Sequence, residues 1–140
     1  YFADLHAMAV DVDTLISILP GGDATRNAIG ARILKALGAN GVLINIGCGT
    51  TVDEPALIAA LKSGTIRAAG LDVFAREPNV PAELIAMDNV VLLPHVGSAS
   101  VAVVLTIGLT TLSGVSLARS MRSWDDPGKR AHVVAAVSSG

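Results

Sequence analysis

The sequence predicts an α/β fold, in which a parallel sheet is flanked by helices. Apolar runs of strand length alternate along the chain with segments of helical periodicity. The composition supports the same class, because 51% of the residues are hydrophobic and only 3% are aromatic, as expected when small-residue helices cover a parallel sheet. With 140 residues, the chain has room for one hydrophobic core of moderate size.

Four helices and four strands are predicted, each helix preceding one strand. The predicted helices span residues 3–10, 31–37, 54–62 and 82–86, and the predicted strands span residues 14–19, 41–46, 68–74 and 90–93. The strands are continuous apolar runs rather than alternating ones, which is typical of parallel strands covered on both faces. The repeated order of helix and strand implies right-handed crossovers and therefore a parallel sheet.

The helix over residues 54–62 has the clearest end signals. Thr51 and Glu54 fit a capping box, and Asp53 is an alternative cap. Gly64 stands just beyond the last helical residue, where glycine commonly ends a helix. Capping accounts for both acidic side chains, Asp53 and Glu54.

Three polar or glycine-rich stretches lie at the C-terminal ends of predicted strands: residues 47–50 (GCGT), 72–78 (DVFAREP) and 94–98 (PHVGS). Open parallel sheets bind ligands beyond the carboxyl ends of their strands, and these ends share one edge. Glu77 beside His95 would favour the imidazolium and fix the ring orientation, as a general acid at neutral pH requires. Taken singly, a tight turn, a solvated carboxylate and a strand-end histidine are equally good or better interpretations.

Charge and cysteine content narrow the possible partners and compartment. A net charge of -2 without any Lys/Arg cluster excludes the electrostatic footprint that nucleic acid requires. The single cysteine forms no internal disulfide, and the first residues lack the features of a signal peptide, so we expect a cytoplasmic protein. We predict no metal site.

An uncharged run over residues 99–118 (ASVAVVLTIGLTTLSGVSLA) has the length of a membrane-spanning helix and is followed by Arg119 and Arg122. Its Ser, Thr and Gly content, and its position after an α/β pattern, favour a helix packed on the sheet instead. Trp124 is interpreted as a packing anchor near the end of this region.

Four stretches together carry a resemblance to a known family: LPGGDATRNAI, VLINIGCGTTVDEPALIAALKSG, AAGLDVFAREPNVP and NVVLLPHVGSAS. Their order and spacing resemble the cofactor-binding domain of the D-isomer-specific 2-hydroxyacid dehydrogenases, particularly its hydroxypyruvate and glyoxylate reductase branch. The resemblance is close to about residue 100 and weakens beyond it. It implies that residues 1–120 are the C-terminal part of a Rossmann-like dinucleotide-binding domain, while residues 121–140 form a tail whose structure the sequence does not define.

The resemblance implies hydride transfer between NAD or NADP and a small 2-oxo or 2-hydroxy acid. It makes His95 the proton donor to the carbonyl and Glu77 its partner, with Asp72 near the nicotinamide end of the cofactor. The residues that it implies for cofactor binding are Pro20, Thr25, Ile46, Gly47, Asp72, His95 and Gly97.

Cys48 stands where the family pattern has an arginine, whose guanidinium is expected to hold the substrate carboxylate and carbonyl. A thiol has neither the charge nor the reach. Charge-assisted hydrogen bonds contribute roughly 1.5 to 3 kcal/mol each, so losing two should weaken transition-state binding by about two to four powers of ten. In an alternative, thiol-based interpretation, Cys48, His95 and Glu77 form a catalytic triad, which requires hydrogen-bond contact.

No G-x-G-x-x-G phosphate loop occurs in these 140 residues, and they also lack the family's substrate domain. We therefore expect a fragment or degenerate member of the family, which alone binds dinucleotide weakly or not at all and is inactive. An incomplete sheet exposes apolar edges, so we also expect self-association. A catalytically silent half-Rossmann module that assembles with itself or with a partner chain is the alternative function.

Overall fold

The computed structural model describes residues 2–97 and forms the predicted α/β alternation. In chain order the helices and strands are α1 (Leu5–Asp11), β1 (Thr14–Ser17), α2 (Ala31–Leu37), β2 (Val42–Asn45), α3 (Glu54–Lys62), β3 (Ala68–Leu71), α4 (Ala82–Ile85) and β4 (Val90–Leu92). Short 3-10 turns lie at Asp23–Thr25 and Gly49–Thr51. The predicted bounds of α2 and α3 are confirmed, whereas each strand ends one to three residues before its predicted limit.

The four strands form one parallel sheet, as predicted, and their order across it is β1-β2-β3-β4. Leu15 lies beside Leu43, and Leu43 beside Ala69, in the pairing of the first three strands. Leu71 pairs with Leu92 at the end of the sheet. Every strand therefore points the same way, and the loops that follow them leave from one edge.

Burial alternates along the first three strands, which differs from the predicted burial on both faces. One face is buried and includes Leu15, Leu43 and Leu71, while the intervening positions are only half-buried. Consecutive right-handed crossovers that progress in one direction place their helices on the same face of the sheet. In agreement, α1 packs against α2, and α2 packs against α3.

The start of α3 corrects the predicted capping box. Asp53, the alternative candidate, is the cap, because its Oδ1 accepts from the backbone N–H of Ala56 at 3.1 Å. Thr51 is instead part of the preceding 3-10 turn, and the Glu54 side chain leaves the helix to accept from the Ala75 N–H at 2.8 Å. The helix end is as predicted, since Gly64 follows it with φ +70°.

Several predictions concern positions outside the described residues. They are the membrane-length run 99–118, the packing role of Trp124 and the tail over residues 121–140. Within residues 2–97, no helix combines the length and the apolar character needed to cross a membrane.

Candidate functional site

The loops that follow β1, β2 and β3 pack against one another, backbone to backbone. A Cβ atom on Gly47 would lie 2.6 Å from the Leu19 carbonyl oxygen, and one on Gly49 would lie 2.0 Å from the Phe74 carbonyl carbon. Real Cβ atoms do not approach backbone this closely, so both positions require glycine. The glycines of the GCGT turn therefore bring three loops into contact at the carboxyl edge of the sheet.

Asn45, at the end of β2, holds the turn that carries Cys48. Its side chain is 1% exposed, donates through Nδ2 to the Cys48 carbonyl at 3.1 Å and accepts from the Gly47 N–H at 3.2 Å. The Thr51 hydroxyl donates to the same Cys48 carbonyl at 2.6 Å. Asn45 was not among the predicted site residues, although an amide that interrupts the apolar run GVLINI is a visible signal of a buried polar contact.

The loop that contains Pro20 and Thr25 lies along the same turn. Within the loop, the Thr25 hydroxyl donates to the Pro20 carbonyl at 2.6 Å. Just after this loop, the Asn27 N–H donates to the Thr50 carbonyl at 2.9 Å. A parallel bridge then pairs Ile29 with Val52, which follows the turn. Ile46 is 48% exposed where β2 ends, so an apolar side chain faces solvent at this edge.

Asp72 fixes the segment that follows β4. Its carboxylate, in a residue that is 2% exposed, accepts from the N–H groups of Val96 at 2.7 Å and Gly97 at 2.6 Å. Its backbone carbonyl accepts from the His95 N–H at 2.9 Å. Both oxygens of this predicted cofactor-binding carboxylate are therefore engaged in holding the residues beside His95.

Glu77 and His95 form the pair that the sequence placed at this edge. Nδ1 of His95 donates to Glu77 Oε2 at 2.8 Å, and the second oxygen of Glu77 accepts from the Phe74 N–H at 3.0 Å. The hydrogen bond with Glu77 raises the pKa of His95, and the same bond is the main cause that lowers the pKa of Glu77. The side chains are 53% and 36% exposed, so the imidazole meets solvent while its orientation is fixed.

Cys48 lies on the turn after β2 and contacts residues of that turn and of the loop after β1. Its Sγ lies 3.3 Å from the Thr50 hydroxyl, and hydrogen bonding from Thr50 is the main cause that lowers the pKa of the thiol. Sγ also lies above Gly21, where an added Cβ would approach it to 2.6 Å. The His95–Glu77 bond would supply half of the triad in the thiol-based interpretation, but the thiol bonds to Thr50 and no hydrogen bond joins it to His95 within the described residues.

A mainly apolar cleft of about 410 Å³ opens beside the carboxylate–imidazole pair. It is lined by Phe74, Glu77, Pro78, Val80, Ile85, Leu92, Leu93, Pro94 and His95. An imidazole that is bonded to a carboxylate at the rim of an apolar cleft suits acid–base chemistry on a small organic substrate.

Comparison with protein families gives a match over residues 1–97 to the NAD-binding domain of the D-isomer-specific 2-hydroxyacid dehydrogenases. Hydroxyphenylpyruvate reductase from Plectranthus scutellarioides is 48% identical over 101 residues, which are 72% of this chain and 32% of the relative. Glyoxylate/hydroxypyruvate reductase B from Erwinia tasmaniensis is 49% identical over 100 residues, covering 71% and 31%. The chain thus spans about a third of the length of the curated relatives that it matches.

Solved structures give the same family relationship. The NADPH-dependent glyoxylate/hydroxypyruvate reductase of Sinorhizobium meliloti, in complex with NADP and malonate, is 50% identical with a TM-score of 0.71. The match covers 91% of this chain and 38% of that one. D-mandelate dehydrogenase of Rhodotorula graminis is 31% identical with a TM-score of 0.69, covering 80% and 32%. These comparisons confirm the resemblance and the Rossmann-type fold that the sequence motifs predicted.

Proposed function

This chain belongs to the D-isomer-specific 2-hydroxyacid dehydrogenase family. We propose that it carries the residues that transfer the proton in an NAD(P)-dependent 2-oxo acid reductase, at the carboxyl edge of its sheet. The observation that carries the proposal is the bond of 2.8 Å between His95 and Glu77 at the carboxyl edge of a parallel sheet. The substrate we propose is a small 2-oxo acid, or the corresponding 2-hydroxy acid in the reverse direction. Glyoxylate and hydroxypyruvate are the first compounds to test, because the names of several relatives specify them.

His95 is proposed as the group that gives a proton to the carbonyl oxygen. Its Nδ1 is bonded to Glu77, so we assign the proton exchange to Nε2. The hydrogen bond to Glu77 raises the pKa of His95 and so favours the imidazolium, the form that a general acid requires. Glu77 stabilises the charged ring and fixes its orientation, and in the oxidative direction the neutral ring accepts the proton again.

The residues at this edge fit the nicotinamide end of a dinucleotide. The exposed Ile46 offers an apolar surface to a planar ring, and Gly47 lets the turn that follows it pack against the backbone of Leu19. Pro20, Thr25 and Gly97 are proposed to complete the contacts, and Asp72 to act by holding residues 95–97. When bound, the cofactor supplies the hydride. Since these 140 residues contain no Gly-x-Gly-x-x-Gly, weak binding by the chain alone stays our prediction.

Cys48 is proposed to occupy the position of the arginine that holds the substrate anion. Its thiol is turned toward Thr50 and carries no fixed positive charge. The chain should therefore bind a 2-oxo acid more weakly than an arginine-containing variant. The loss expected in kcat/KM is about two to four powers of ten, from two charge-assisted hydrogen bonds.

A chimera tests this proposal, because the chain spans about a third of its relatives. Residues 2–97 replace the matching segment of the Sinorhizobium reductase, with Cys48 kept in one version and Cys48→Arg in the other. We expect the Cys48→Arg chimera to reduce glyoxylate or hydroxypyruvate with NADPH, and the Cys48 version to be at least about a hundredfold slower. Adding His95→Gln to the active chimera should lower its rate by about two to four powers of ten.

Two results would contradict the proposal. One is a folded Cys48→Arg chimera that binds NADPH and reduces neither acid. The other is a His95→Gln chimera with an unchanged rate. Cofactor binding, measured by calorimetry on every version, separates a failure of the chemistry from a failure of assembly.

We also propose self-association, which is the basis of the alternative silent module. The side chains of Ile18, Val91 and Leu93 are exposed on or just beyond the two outer strands of the described sheet, and apolar edge strands favour pairing with another copy. Sedimentation of the 140-residue chain should show dimers or larger species that Val91→Lys shifts toward monomer. A monomer at micromolar concentration would contradict this proposal.

A further inference from the structure

Glu54 makes a contact far from its own helix. It is the first residue of α3, but the cap of that helix is Asp53. The Glu54 carboxylate instead accepts from the Ala75 N–H at 2.8 Å, across 21 residues of sequence. This contact joins the start of α3 to the loop that follows β3, and nothing in the capping of the helix requires it.

The loop that Glu54 contacts is the one that carries Glu77. Two successive backbone N–H groups of this loop are each held by a carboxylate: Phe74 by Glu77 at 3.0 Å and Ala75 by Glu54 at 2.8 Å. The second oxygen of Glu77 then holds His95. The partly buried Glu54 is therefore connected to the exposed imidazole. The connection consists of its hydrogen bond to Ala75, the backbone that joins Ala75 to Phe74, and the hydrogen bonds of Glu77 to Phe74 and His95.

We propose that Glu54 is a positioning residue, which sets the Glu77–His95 pair by fixing the backbone of residues 74–75. The importance of that pair for catalysis rests on the function proposed above, whereas the contact itself does not. The pair needs such support because both side chains reach solvent, and exposed pairs lose side-chain entropy when they adopt one geometry. A tie to the adjacent backbone restricts Glu77 before His95 binds to it.

The test is an NMR titration of the His95 imidazole in the full 140-residue chain, which needs neither cofactor nor substrate. A His95→Gln sample identifies its resonances among the three histidines. Glu77→Gln defines the result when the charged pair is lost. The informative variants are Glu54→Gln, which keeps the reach to Ala75 without the charge, and Glu54→Asp, which keeps the charge but is one methylene too short.

We expect the pKa of His95 to fall most of the way to its Glu77→Gln value in Glu54→Asp and to stay near wild type in Glu54→Gln. The carboxylates that act on His95 are Glu77 and Asp72, and both remain in these two variants. Asp53→Ala is the matched control: it removes a neighbouring charge and the cap of α3, and should leave the pKa of His95 unchanged.

Three outcomes would overturn the proposal. An unchanged His95 pKa in Glu54→Asp means that the hydrogen bond between Glu54 and Ala75 does not position the Glu77–His95 pair. A larger fall in Glu54→Gln than in Glu54→Asp means that the charge of Glu54 acts, rather than its position. An equal fall in Asp53→Ala means that any loosening of α3 has the same effect. An inactive chimera with the expected titration would instead count against the proposed function alone.

Discussion

Gly49→Ala is the substitution that most directly tests the packing of the loops at the carboxyl edge. The added methyl carbon would lie 2.0 Å from both the carbonyl carbon and the carbonyl oxygen of Phe74. Non-bonded carbon atoms settle at about 3.5 Å, so the backbone of residues 74–75 has to retreat by about 1.5 Å. A retreat of this size breaks the bond of 2.8 Å between the Ala75 N–H and Glu54.

The expected loss of stability follows from these two effects. Overpacking costs about 1 to 3 kcal/mol, and a broken hydrogen bond to a carboxylate adds about 1 kcal/mol where the carboxylate is partly solvated. We therefore expect the free energy of unfolding to fall by about 3 kcal/mol, measured by urea denaturation with an unchanged m-value.

Gly70→Ala is the matched control for Gly49→Ala. Its added Cβ would lie 3.8 Å from Ile44 Cγ1, which is an ordinary contact. This variant should equal wild type or gain up to about 1 kcal/mol, because alanine restricts the unfolded chain. If Gly49→Ala and Gly70→Ala unfold at the same urea concentration, the inference that residue 49 has no room for a Cβ atom beside the Phe74 backbone is wrong.

Three further predictions concern the same edge. Asn45→Leu removes both side-chain hydrogen bonds to the turn and should lower the free energy of unfolding, measured by urea denaturation, by about 1 to 3 kcal/mol. A midpoint equal to that of wild type would show that these two bonds do not stabilise the fold. Thr50→Val should raise the pKa of Cys48 by removing its main hydrogen bond, so iodoacetamide alkylation should need higher pH, and an unchanged profile would contradict this contact. The Glu77–His95 pair should stabilise the fold most between pH 4.5 and 6.5, the ordinary pKa values of the two groups. Because the pKa of Glu77 is lowered in the folded chain, its stabilisation is lost as the pH falls below this window. Because the pKa of His95 is raised, its stabilisation is lost as the pH rises above the window. Subtracting the pH–stability curve of Glu77→Gln from that of wild type measures this window, and a flat difference would refute it.

Sequence periodicity predicted the helices better than the ends of the strands. The bounds of α2 and α3 follow directly from helical spacing and end signals. The strand over residues 68–74 was predicted three residues too long, because Val73 and Phe74 continue the apolar run past Asp72 although the chain has already left the sheet. Apolar character reports burial, and the loop residues Val73 and Phe74 are buried without being in a strand.

Topology made the main feature of the site predictable, whereas the contacts that hold it were not. The meeting of Glu77 and His95 follows from parallel strands, whose carboxyl ends share one edge. Asn45 was missed, and Glu54 was taken for part of a capping box, because their partners are backbone groups of loops. Loop backbone has no sequence signature, so a side chain that binds it resembles a surface polar residue or a helix cap.

Burial separates the polar residues at this edge into two roles. Asn45 and Asp72 are almost fully buried, and their recorded bonds go to backbone N–H and carbonyl groups. A buried polar group without partners costs free energy, so these side chains are committed to the loops that they hold. Glu77 and His95 are exposed, and one ring nitrogen of His95 remains for the proposed proton exchange with a substrate. Substituting Asn45 or Asp72 should therefore reduce both the folding stability and the proposed proton transfer. Substituting Glu77 or His95 should remove the proposed proton transfer and leave the fold largely intact.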